Sequence, residues 1–589
     1  MNYYRPPLDE FRFLLEAFDY NDIVQSMSVF ADFDLETGMD LVEACSTYAV
    51  DVLLPLNAVG DRQGVKFNAE DQSVTMPAGY REAYQGYCEN GFAGLSFPAE
   101  IGGLGAPTTL ATMAFEVVAS CNKSFSMCPG LTTGLVHALE VHGSADQVEN
   151  LLPKLASGEW SGTMCLTEPQ CGTDLGLLTT RAEPHGDHYK LTGTKVWITY
   201  GEHDMADNIV HLVLARLPDA PEGIKGISTF VIPKFLDDGT RNPIFCGGTD
   251  HKMGINASPT CVMNLEGAEG WLVGEPHRGM KSMFTMMNAA RLQVGGEGVA
   301  LGEAAYQNAL AFAKDRRQSR SLNPAKQDKN ATADNILVHP DVRRMLLRVK
   351  STTEALRALV VWISMNLDVM THHEDEATRN KASDLVALLT PIIKSYGSEQ
   401  GFLNTSEAMQ VMGGAGYTED WPVEQYMRDL RIAMIYEGTN HIQALDLVGR
   451  KLPTGGGRLM RGFAEEVSTL IRACAGDERL TEFVEPLKTE SKRLNQTTMA
   501  MGGAAMQDAE VVGAVASAYL NQFALVTLGV AWLKMVKAVI DREEGDPVRE
   551  SKLQTARYFM KLVLPEAEMY AAKVAVGKEP LTEINVDLL

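Results

Sequence analysis

M-C-L-T-E-P-Q-C-G-T-D-L-G, residues 164–176, is a loop-forming stretch with a rich supply of hydrogen-bond donors. Thr167 and Thr173 offer hydroxyl groups at a fixed separation, and the proline and two glycines leave backbone N–H groups outside regular structure. Such a loop suits a flat ligand that is rich in hydrogen-bond acceptors. An ordinary polar loop has the same composition, so this stretch alone leaves both interpretations open.

A short β-rich run, K-V-W-I-T at 195–199, follows the loop. Because successive side chains of a strand point to opposite faces, Trp197 and Thr199 are predicted to lie on the same side. An aromatic group that covers a ring and a hydroxyl that bonds a ring heteroatom are what an isoalloxazine needs. The two segments together favour a flavin site over a plain polar loop.

Outward from this point, the chain changes from helical to β-rich and back. Runs such as 188–199 and 209–216 are bounded by Gly, Pro, Asn and Asp, which is typical of an antiparallel sheet or barrel. Helical patterns return after residue 283, and K-L-P-T-G-G-G at 451–457 is a linker. The predicted fold is α+β and mainly α, with an N-terminal helical extension (1–45), an N-terminal α domain (46–160), a middle antiparallel β-barrel or sheet domain (161–280), a C-terminal four-helix bundle domain (281–452), and a linker with an additional helical domain (453–589).

The composition excludes several functional classes. With 589 residues the chain is too long for one hydrophobic core, and its 45% apolar content is that of a globular protein. The formal net charge of -24 argues against binding to nucleic acid or to anionic membrane surfaces. The N-terminus has no signal pattern and no stretch approaches 18 uninterrupted apolar residues, so we expect no membrane insertion and a cytoplasmic location. The nine scattered cysteines are expected to be reduced thiols.

Three further motifs invite functional interpretations that their context does not favour. G-G-L-G at 102–105 lacks a full dinucleotide fingerprint, so a turn is predicted. G-G-E-G-V-A-L-G at 295–302 lies inside a helical pattern, where small residues permit close helix packing. T-H-H-E-D-E at 371–376 has adjacent histidines that cannot share a helix face, so a loop between helices is favoured over a metal site. No metal is expected.

I-Y-E-G-T-N at 435–440 places one carboxylate, Glu437, directly after an apolar run. Either Glu437 is a surface residue at the end of a helix, or it is buried and does chemistry. Burial in an apolar cavity raises the pKa of a carboxylate and makes it a stronger base. Gly438 beside it lets the backbone approach a substrate closely. Taken alone, the stretch leaves this choice open.

Five motifs in one order carry a family resemblance: the T-E-P loop, the W-I-T strand, D-R-R-Q at 315–318, M-Q-V-M-G-G-A-G-Y at 409–417 and I-Y-E-G-T-N. Over about residues 46–450 the chain resembles the acyl-CoA dehydrogenase family. The resemblance implies an N-terminal helical domain, a middle β-barrel and a C-terminal helical bundle, with FAD between the sheet and the bundle. The N-terminal extension and the helical tail resemble the long-form bacterial branch of that family.

The resemblance also implies roles for individual residues. Glu437 matches the glutamate that removes the α-proton of an acyl-CoA while the β-hydride leaves for flavin N5. Contacts to FAD are implied for Leu166, Thr167, Thr173, Trp197, Ile198, Thr199, Arg316, Gln318, Gln410, Gly413, Gly414 and Thr439, and contacts to the substrate for Thr173, Tyr436 and Gly438. Because Arg316, Gln318 and the segment 410–414 match contacts to the FAD of a neighbouring subunit, a homo-oligomer, at least a dimer, is implied.

The implied substrate is a short acyl-CoA. Within the long-form branch the expected reaction converts 3-methylmercaptopropionyl-CoA to 3-methylthioacryloyl-CoA, a step of dimethylsulfoniopropionate breakdown, with an electron-transfer flavoprotein as electron acceptor. A straight-chain fatty acyl-CoA dehydrogenase of β-oxidation and an acyl-CoA oxidase on the same fold remain open alternatives. A non-catalytic acyl-CoA-binding scaffold is the alternative from a different class.

Two positions depart from the family pattern. Where many relatives carry an arginine that meets CoA, this chain has Ser258, Pro259 and Thr260, so other groups must bind the CoA phosphates. Where some relatives have phenylalanine after the glutamine at the helix end, this chain has Ser319, which puts FAD packing there in doubt.

Overall fold

A computed structural model describes residues 2–589, and the expected fold class is confirmed: the chain is mainly helical with one sheet domain. The α-helices of the described chain are α1 Leu8–Ala17, α2 Leu35–Tyr48, α3 Leu54–Gln63, α4 Tyr80–Glu89, α5 Thr108–Cys121, α6 Lys123–His142, α7 Ala145–Ala156, α8 Gly279–Asp315, α9 Pro340–His372, α10 Glu376–Ile392, α11 Ser398–Met412, α12 Val423–Leu430, α13 Asn440–Asp446, α14 Arg458–Cys474, α15 Thr481–Gln507, α16 Glu510–Val539, α17 Pro547–Tyr558, α18 Glu566–Val576 and α19 Glu579–Thr582. The strands are β1 Lys66–Asn68, β2 Ser73–Thr75, β3 Trp160–Cys165, β4 Arg181–His185, β5 His188–Thr199, β6 Asn208–Arg216, β7 Ile227–Pro233, β8 Ile244–Thr249 and β9 Thr260–Val273.

The chain divides into two compact units. The helical unit contains the chain up to Met39, residues 107–116 and residues 294–589. The sheet unit contains residues 40–106 and 117–293. The N-terminal segment therefore belongs to the same unit as the C-terminal helices, although most of the residues between 40 and 293 belong to the other unit.

The sheet unit is built on a seven-stranded sheet that closes on itself. The strand order is β3-β6-β4-β5-β9-β7, β8 pairs with β9, and an additional pairing of β7 with β6 closes the ring. The pairs β4–β5, β5–β9, β6–β7, β7–β9 and β8–β9 are antiparallel, as expected. The expectation is wrong for two pairs: β3 runs parallel to β6, and β4 pairs in parallel with β6 at Arg181 and Arg216. Parallel neighbours need a crossover, and the chain between β3 and β6 supplies it as a loop and the β4–β5 hairpin.

Two apolar clusters hold the sheet unit together. One lies between the helices and the sheet, where Leu135 and Leu139 of α6 pack with Val210 and Leu212 of β6. The other joins strands of the ring and includes Phe230 and Met263. Each fully buried side chain of this size contributes roughly 1.5–3 kcal/mol of hydrophobic stabilisation. These clusters fix the strand ends from which the functional loops emerge.

The long helices of the helical unit carry its core. α10 continues through a π-helical turn, Ile393–Gly397, directly into α11.

α16 is the one helix in residues 2–589 that is long and apolar enough to cross a membrane, yet 61% of its most apolar window is buried inside the protein. Its Trp532 is fully buried and donates its indole N–H to the Ser351 carbonyl on α9 at 3.1 Å. This helix is placed as a core helix of its unit.

A buried ionic network joins distant segments within the helical unit. Arg357 on α9 is almost fully buried and contacts Glu116 at 2.7 Å and Glu303 at 2.8 Å. Lys552 on α17 contacts Glu10 of the N-terminal helix at 2.5 Å and Glu354 of α9 at 2.8 Å. Burying a charge is unfavourable unless a partner meets it, so these segments depend on one another.

The structure settles the motifs with uncertain roles. G-G-L-G forms the predicted turn, with Gly102 and Gly105 at positive φ of 90° and 67°. G-G-E-G-V-A-L-G lies inside α8 and packs closely, because a Cβ added at Gly298 meets the Gly397 carbonyl oxygen at 2.1 Å. T-H-H-E-D-E spans the end of α9 and a loop whose Asp375 caps α10. All nine cysteines are free thiols, as predicted.

Candidate active site

The loop after β3 is held by a buried carboxylate. Glu168 accepts hydrogen bonds from the backbone N–H and hydroxyl of Thr179 at 2.7 and 2.8 Å, and from those of Thr180 at 3.0 and 2.6 Å. Lys195 donates its ammonium to Glu168 at 2.9 Å and to the Leu166 carbonyl at 3.0 Å. Burial raises the pKa of Glu168, but the Lys195 charge and these hydrogen bonds outweigh it and lower that pKa to about 2. The predicted flavin loop is therefore rigid at its root.

A bulge interrupts β5 at the start of the W-I-T segment. Lys195 pairs with Met263 and Ile198 with Cys261, so Val196 and Trp197 form a bulge opposite a single residue. Trp197 adopts a left-handed φ of 58° and is 64% exposed. Regular alternation would place Lys195 on the same side as Trp197, whereas the bulge buries the lysine and leaves the indole outside. The resulting left-handed conformation of a bulky residue is the kind of strain found at ligand sites.

The hydroxyl groups predicted to bond the flavin are available for it. Within residues 2–589, the side chains of Thr167, Thr173 and Thr199 make no hydrogen bond to the protein, although the Thr199 carbonyl accepts one from Thr163 at 2.6 Å. The Ile198 side chain is 2% exposed and belongs to the core, so this residue offers its backbone alone. Free hydroxyl donors beside an exposed indole fit an isoalloxazine ring.

Three arginines, Arg316, Arg317 and Arg320, follow the end of α8 in the helical unit. Arg317 and Arg320 are paired with Asp328 and Asp334, at 3.0 and 3.6 Å. In the described chain the Arg316 guanidinium makes no ion pair and is exposed. Gln318 is also exposed, and its carbonyl accepts a hydrogen bond from His339 at 3.0 Å. This leaves Arg316 as the cation that fits a phosphate group.

The segment after α11 presents open backbone to solvent. Gln410, Gly413 and Gly414 are all exposed, and Gly413 has a positive φ of 60°. A Cβ added at either glycine meets no atom within 4 Å. A ligand of the size of a nucleotide can therefore approach this backbone closely, as the resemblance implies.

Glu437 lies in a tight left-handed turn between α12 and α13. Its φ is 56° and that of Gly438 is 80°, so two successive residues are left-handed. The Gln443 side-chain amide donates to the Glu437 carbonyl at 3.0 Å. Thr439 caps α13 by accepting from the Ile442 N–H at 3.4 Å, and Glu437 is partly buried. A glutamate in this conformation is held there by its surroundings.

Two buried charged residues that the sequence did not reveal contact the turn. The Tyr436 hydroxyl donates to the Glu297 carboxylate of α8 at 2.5 Å, and burial together with Glu297 and Glu437 raises the pKa of Tyr436. The Lys394 ammonium donates to the Gly438 carbonyl at 2.6 Å. Both lie in otherwise apolar or small-residue runs, the same signal that drew attention to Glu437.

The two departures from the family pattern have clear positions. Ser258 is fully buried, and the Pro259 carbonyl accepts the Tyr200 N–H at 2.8 Å, so this segment is part of the sheet unit's interior. Lys252 donates to the Ser258 carbonyl at 3.0 Å and is the cation beside the segment. Ser319 is exposed and left-handed, with a φ of 61°.

Comparisons with known proteins cover most of the chain. Family models match it in four consecutive ranges: "Acyl-CoA dehydrogenase, N-terminal domain" at residues 60–159, "Acyl-CoA dehydrogenase, middle domain" at 163–268, "Acyl-CoA dehydrogenase, C-terminal domain" at 277–452 and "Acetyl-CoA dehydrogenase C-terminal like" at 463–585.

Two curated relatives and one solved structure are similar along most of their length. A 3-methylmercaptopropionyl-CoA dehydrogenase of Ruegeria pomeroyi is 43% identical over 79% of each chain. A broad-specificity linear acyl-CoA dehydrogenase, FadE5, of Mycobacterium tuberculosis is 32% identical over 93% of this chain and 90% of its own. The acyl-CoA dehydrogenase of Bacillus anthracis, solved with FAD, covers 96% of this chain and 91% of its own with a TM-score of 0.74 and 22% identity, which shows a shared fold.

Proposed function

This chain belongs to the acyl-CoA dehydrogenase family, and from that premise we propose that it oxidises 3-methylmercaptopropionyl-CoA to 3-methylthioacryloyl-CoA. It is an oxidoreductase that acts on acyl-CoA, and the enzymes of its family depend on FAD. The observation that supports this substrate is the 43% identity, over 79% of each chain, to the 3-methylmercaptopropionyl-CoA dehydrogenase of Ruegeria pomeroyi.

The residues of the chain supply the base and its setting. Glu437 removes the α-proton as a general base, which contributes roughly 100- to 10,000-fold to the rate. Its own backbone N–H donates to the thioester oxygen and stabilises the negative charge that develops there. Glu437 lies in a left-handed turn, with a φ of 56°. We propose that this one residue therefore directs both its backbone N–H and its carboxylate toward the substrate.

FAD, when bound, supplies the acceptor for the β-hydride at flavin N5. Thr167 and Thr199 would hold the ring through their hydroxyl groups, Trp197 would cover it, and the backbone of Ile198 would add a contact. Thr173 would contact both the cofactor and the substrate. Arg316, Gln318 and the exposed segment 410–414 reach the FAD of a second copy of the chain, which makes the enzyme a homodimer or a larger oligomer. An electron-transfer flavoprotein is the proposed electron acceptor.

The Glu437→Gln substitution tests the chemistry. The variant keeps the shape of the residue and removes its basicity, so bound FAD should be retained while bleaching of the flavin by substrate slows about 100- to 10,000-fold. Glu465→Gln, on the exposed face of α14, is the matched control and should bleach at the normal rate. Bleaching of Glu437→Gln at the normal rate refutes the assignment of the base.

A comparison of kcat/KM tests the substrate. Valeryl-CoA is the matched control because it replaces the thioether sulfur of 3-methylmercaptopropionyl-CoA by a methylene group. Apolar pockets separate such pairs by only roughly 1–3 kcal/mol, so a preference of about 10-fold for the thioether is expected. The similarity to a broad-specificity linear acyl-CoA dehydrogenase favours straight-chain acyl-CoA as the second candidate. A preference for chains of twelve or more carbons contradicts the thioether assignment.

Reoxidation in air separates the dehydrogenase from an oxidase. Stopped-flow absorbance of the substrate-reduced enzyme should recover slowly with O₂ and quickly with an electron-transfer flavoprotein. Rapid release of peroxide would contradict the proposed acceptor while leaving the role of Glu437 intact.

A further inference from the structure

The turn that contains Glu437 is hydrogen-bonded at both ends to buried charged residues. On the N-terminal side, the Tyr436 hydroxyl is bonded to the Glu297 carboxylate at 2.5 Å. On the C-terminal side, the Lys394 ammonium is bonded to the Gly438 carbonyl at 2.6 Å and to the Asn440 side-chain oxygen at 3.1 Å. Glu297 is 4% exposed and Lys394 is fully buried.

Close packing of two backbones brings these charged residues to the turn. A Cβ added at Gly295 meets the Ile393 carbonyl oxygen at 2.8 Å, and one at Gly298 meets the Gly397 carbonyl oxygen at 2.1 Å. α8 therefore lies directly against the π-helical turn Ile393–Gly397. Glu297 and Lys394 come from the two elements that meet at this contact. π-Turns inside helices are frequent at functional sites.

Further hydrogen bonds support the turn beyond Lys394. The Asn440 side-chain amide donates to the Ser395 carbonyl at 3.1 Å, and its oxygen accepts from the Ser398 hydroxyl at 3.2 Å. Gln443 donates to the Gly438 carbonyl at 3.3 Å as well. The backbone oxygens of Glu437 and Gly438 thus both accept a hydrogen bond from a side chain. These bonds stabilise the turn and so maintain the unfavourable left-handed conformation of Glu437.

We propose that Glu297 and Lys394 are positioning residues for Glu437. They act through Tyr436 and Gly438, the residues on either side of it, and they hold its carboxylate and its backbone N–H on the substrate. This inference rests on the proposed role of Glu437 as the base. A displacement of about 1 Å in a reacting group costs on the order of 100-fold in rate. Loss of the Glu297 or the Lys394 hydrogen bond should therefore slow removal of the α-proton.

Four variants of the full-length holoenzyme test this inference. Lys394→Met keeps the length of the side chain without its donors, and Glu297→Leu removes the acceptor. Glu297→Gln retains an acceptor for the Tyr436 hydroxyl and should rescue what Glu297→Leu loses. Tyr436→Phe deletes one oxygen and folds even if the larger changes do not. Lys534→Met, at a lysine paired with Glu466 instead of with the turn, is the matched control.

The decisive measurement is exchange of the α-protons of acetyl-CoA with D₂O, followed by NMR. Acetyl-CoA has no β-carbon, so exchange reports the base without any hydride transfer. We expect about 100-fold slower exchange and kcat in Lys394→Met and Glu297→Leu, and about 10-fold slower in Tyr436→Phe. Bound flavin and KM should stay within about 3-fold, and Glu297→Gln within about 5-fold of the unmodified enzyme.

Other outcomes separate this inference from the proposed function. If Glu437→Gln abolishes exchange while Lys394→Met, Glu297→Leu and Tyr436→Phe exchange normally, the positioning role is overturned and the base stands. If Glu437→Gln itself exchanges normally, the proposed role of Glu437 as the base is refuted, whatever the other variants do. Equal loss in Glu297→Gln and Glu297→Leu overturns the role given to the hydrogen bond through Tyr436.

Discussion

The Lys195 ammonium lies 2.9 Å from the Glu168 carboxylate, and both side chains are buried, with exposures of 0% and 2%. Lys195 belongs to the W-I-T strand, and Glu168 belongs to the T-E-P loop. The pair therefore ties together the two segments proposed to hold the flavin ring. The Val196 N–H adds a second tie by donating to the Thr167 carbonyl at 2.9 Å.

Lys195→Met should weaken FAD binding, although Lys195 itself is not one of the proposed flavin contacts. The substitution removes the ammonium that bonds both the Leu166 carbonyl and the Glu168 carboxylate, so the tie between strand and loop is lost. We expect the FAD dissociation constant to rise about 10- to 100-fold, measured by flavin fluorescence of reconstituted apoprotein. Lys190→Met, on the same strand, is the control. Unchanged FAD affinity in Lys195→Met contradicts a positioning role for the pair.

Glu168→Gln should change how stability depends on pH. The folded-state pKa of Glu168 is lowered to about 2, so its stabilisation is present above the unfolded value near 4.5 and is lost as pH falls toward 2. The variant should be about 3–5 kcal/mol less stable at neutral pH, because Lys195 remains buried without its partner. Urea unfolding at several pH values should show this gap narrowing below about pH 4.5. The lowered pKa assigned to Glu168 is refuted if the stability difference between Glu168→Gln and the unmodified protein widens in acid. It is also refuted if Glu82→Gln, at an exposed position, shows the same pH-dependent difference.

Arg316→Ala should weaken FAD binding in the assembled enzyme. The guanidinium is exposed at the end of α8, and a charge-assisted bond to a phosphate contributes enough to raise the dissociation constant about 10- to 100-fold. Lys314→Ala, two residues earlier and also exposed, should leave the affinity unchanged. If the phosphate belongs to the FAD of a second chain, diluting the unmodified enzyme below its dimer dissociation constant should release flavin.

Gly298→Ala should destabilise the helical unit, whereas Gly296→Ala should not. An added methyl group at Gly298 meets the Gly397 carbonyl oxygen at 2.1 Å, but one at Gly296 meets no atom within 4 Å. We expect a loss of about 2–3 kcal/mol for the first and a gain of roughly 0.5–1 kcal/mol for the second. Urea unfolding checks both, and equal effects would show that α8 does not press on the π-turn.

Lys552→Met should lower the free energy of unfolding by about 3–5 kcal/mol, because Glu10 then loses its cation and Glu354 keeps only Lys350. Lys561→Met, at an exposed position on the following turn, is the control and should lie within about 0.5 kcal/mol of the unmodified protein. A loss that also removes the N-terminal helix from protection in hydrogen exchange would identify α17 as its anchor. Equal stability of the two variants contradicts the network.

Features set by neighbouring residues were predicted correctly, whereas features set by strand pairing were missed. The β-rich texture and the Gly and Pro turns predicted the sheet domain, and the G-G-E-G segment predicted close packing on α8. The bulge at Val196 and Trp197 was not predicted, because it exists only through pairing of Lys195 with Met263 and of Ile198 with Cys261. The parallel course of β3 beside β6 was missed for the same reason.

Periodicity and turn residues were enough to predict the fold class, since they are properties of neighbouring residues in the chain. The roles proposed for the flavin loop and for Glu437 follow from the family resemblance that five short motifs carry. The environment of Glu437 is of another kind. Glu297, Lys394 and Tyr436 are far apart in sequence, and their meeting depends on α8 touching a π-turn through two glycines. Contacts of that range arise when buried charges from separate helices must find partners on folding, and therefore only the tertiary structure decided how the base is held.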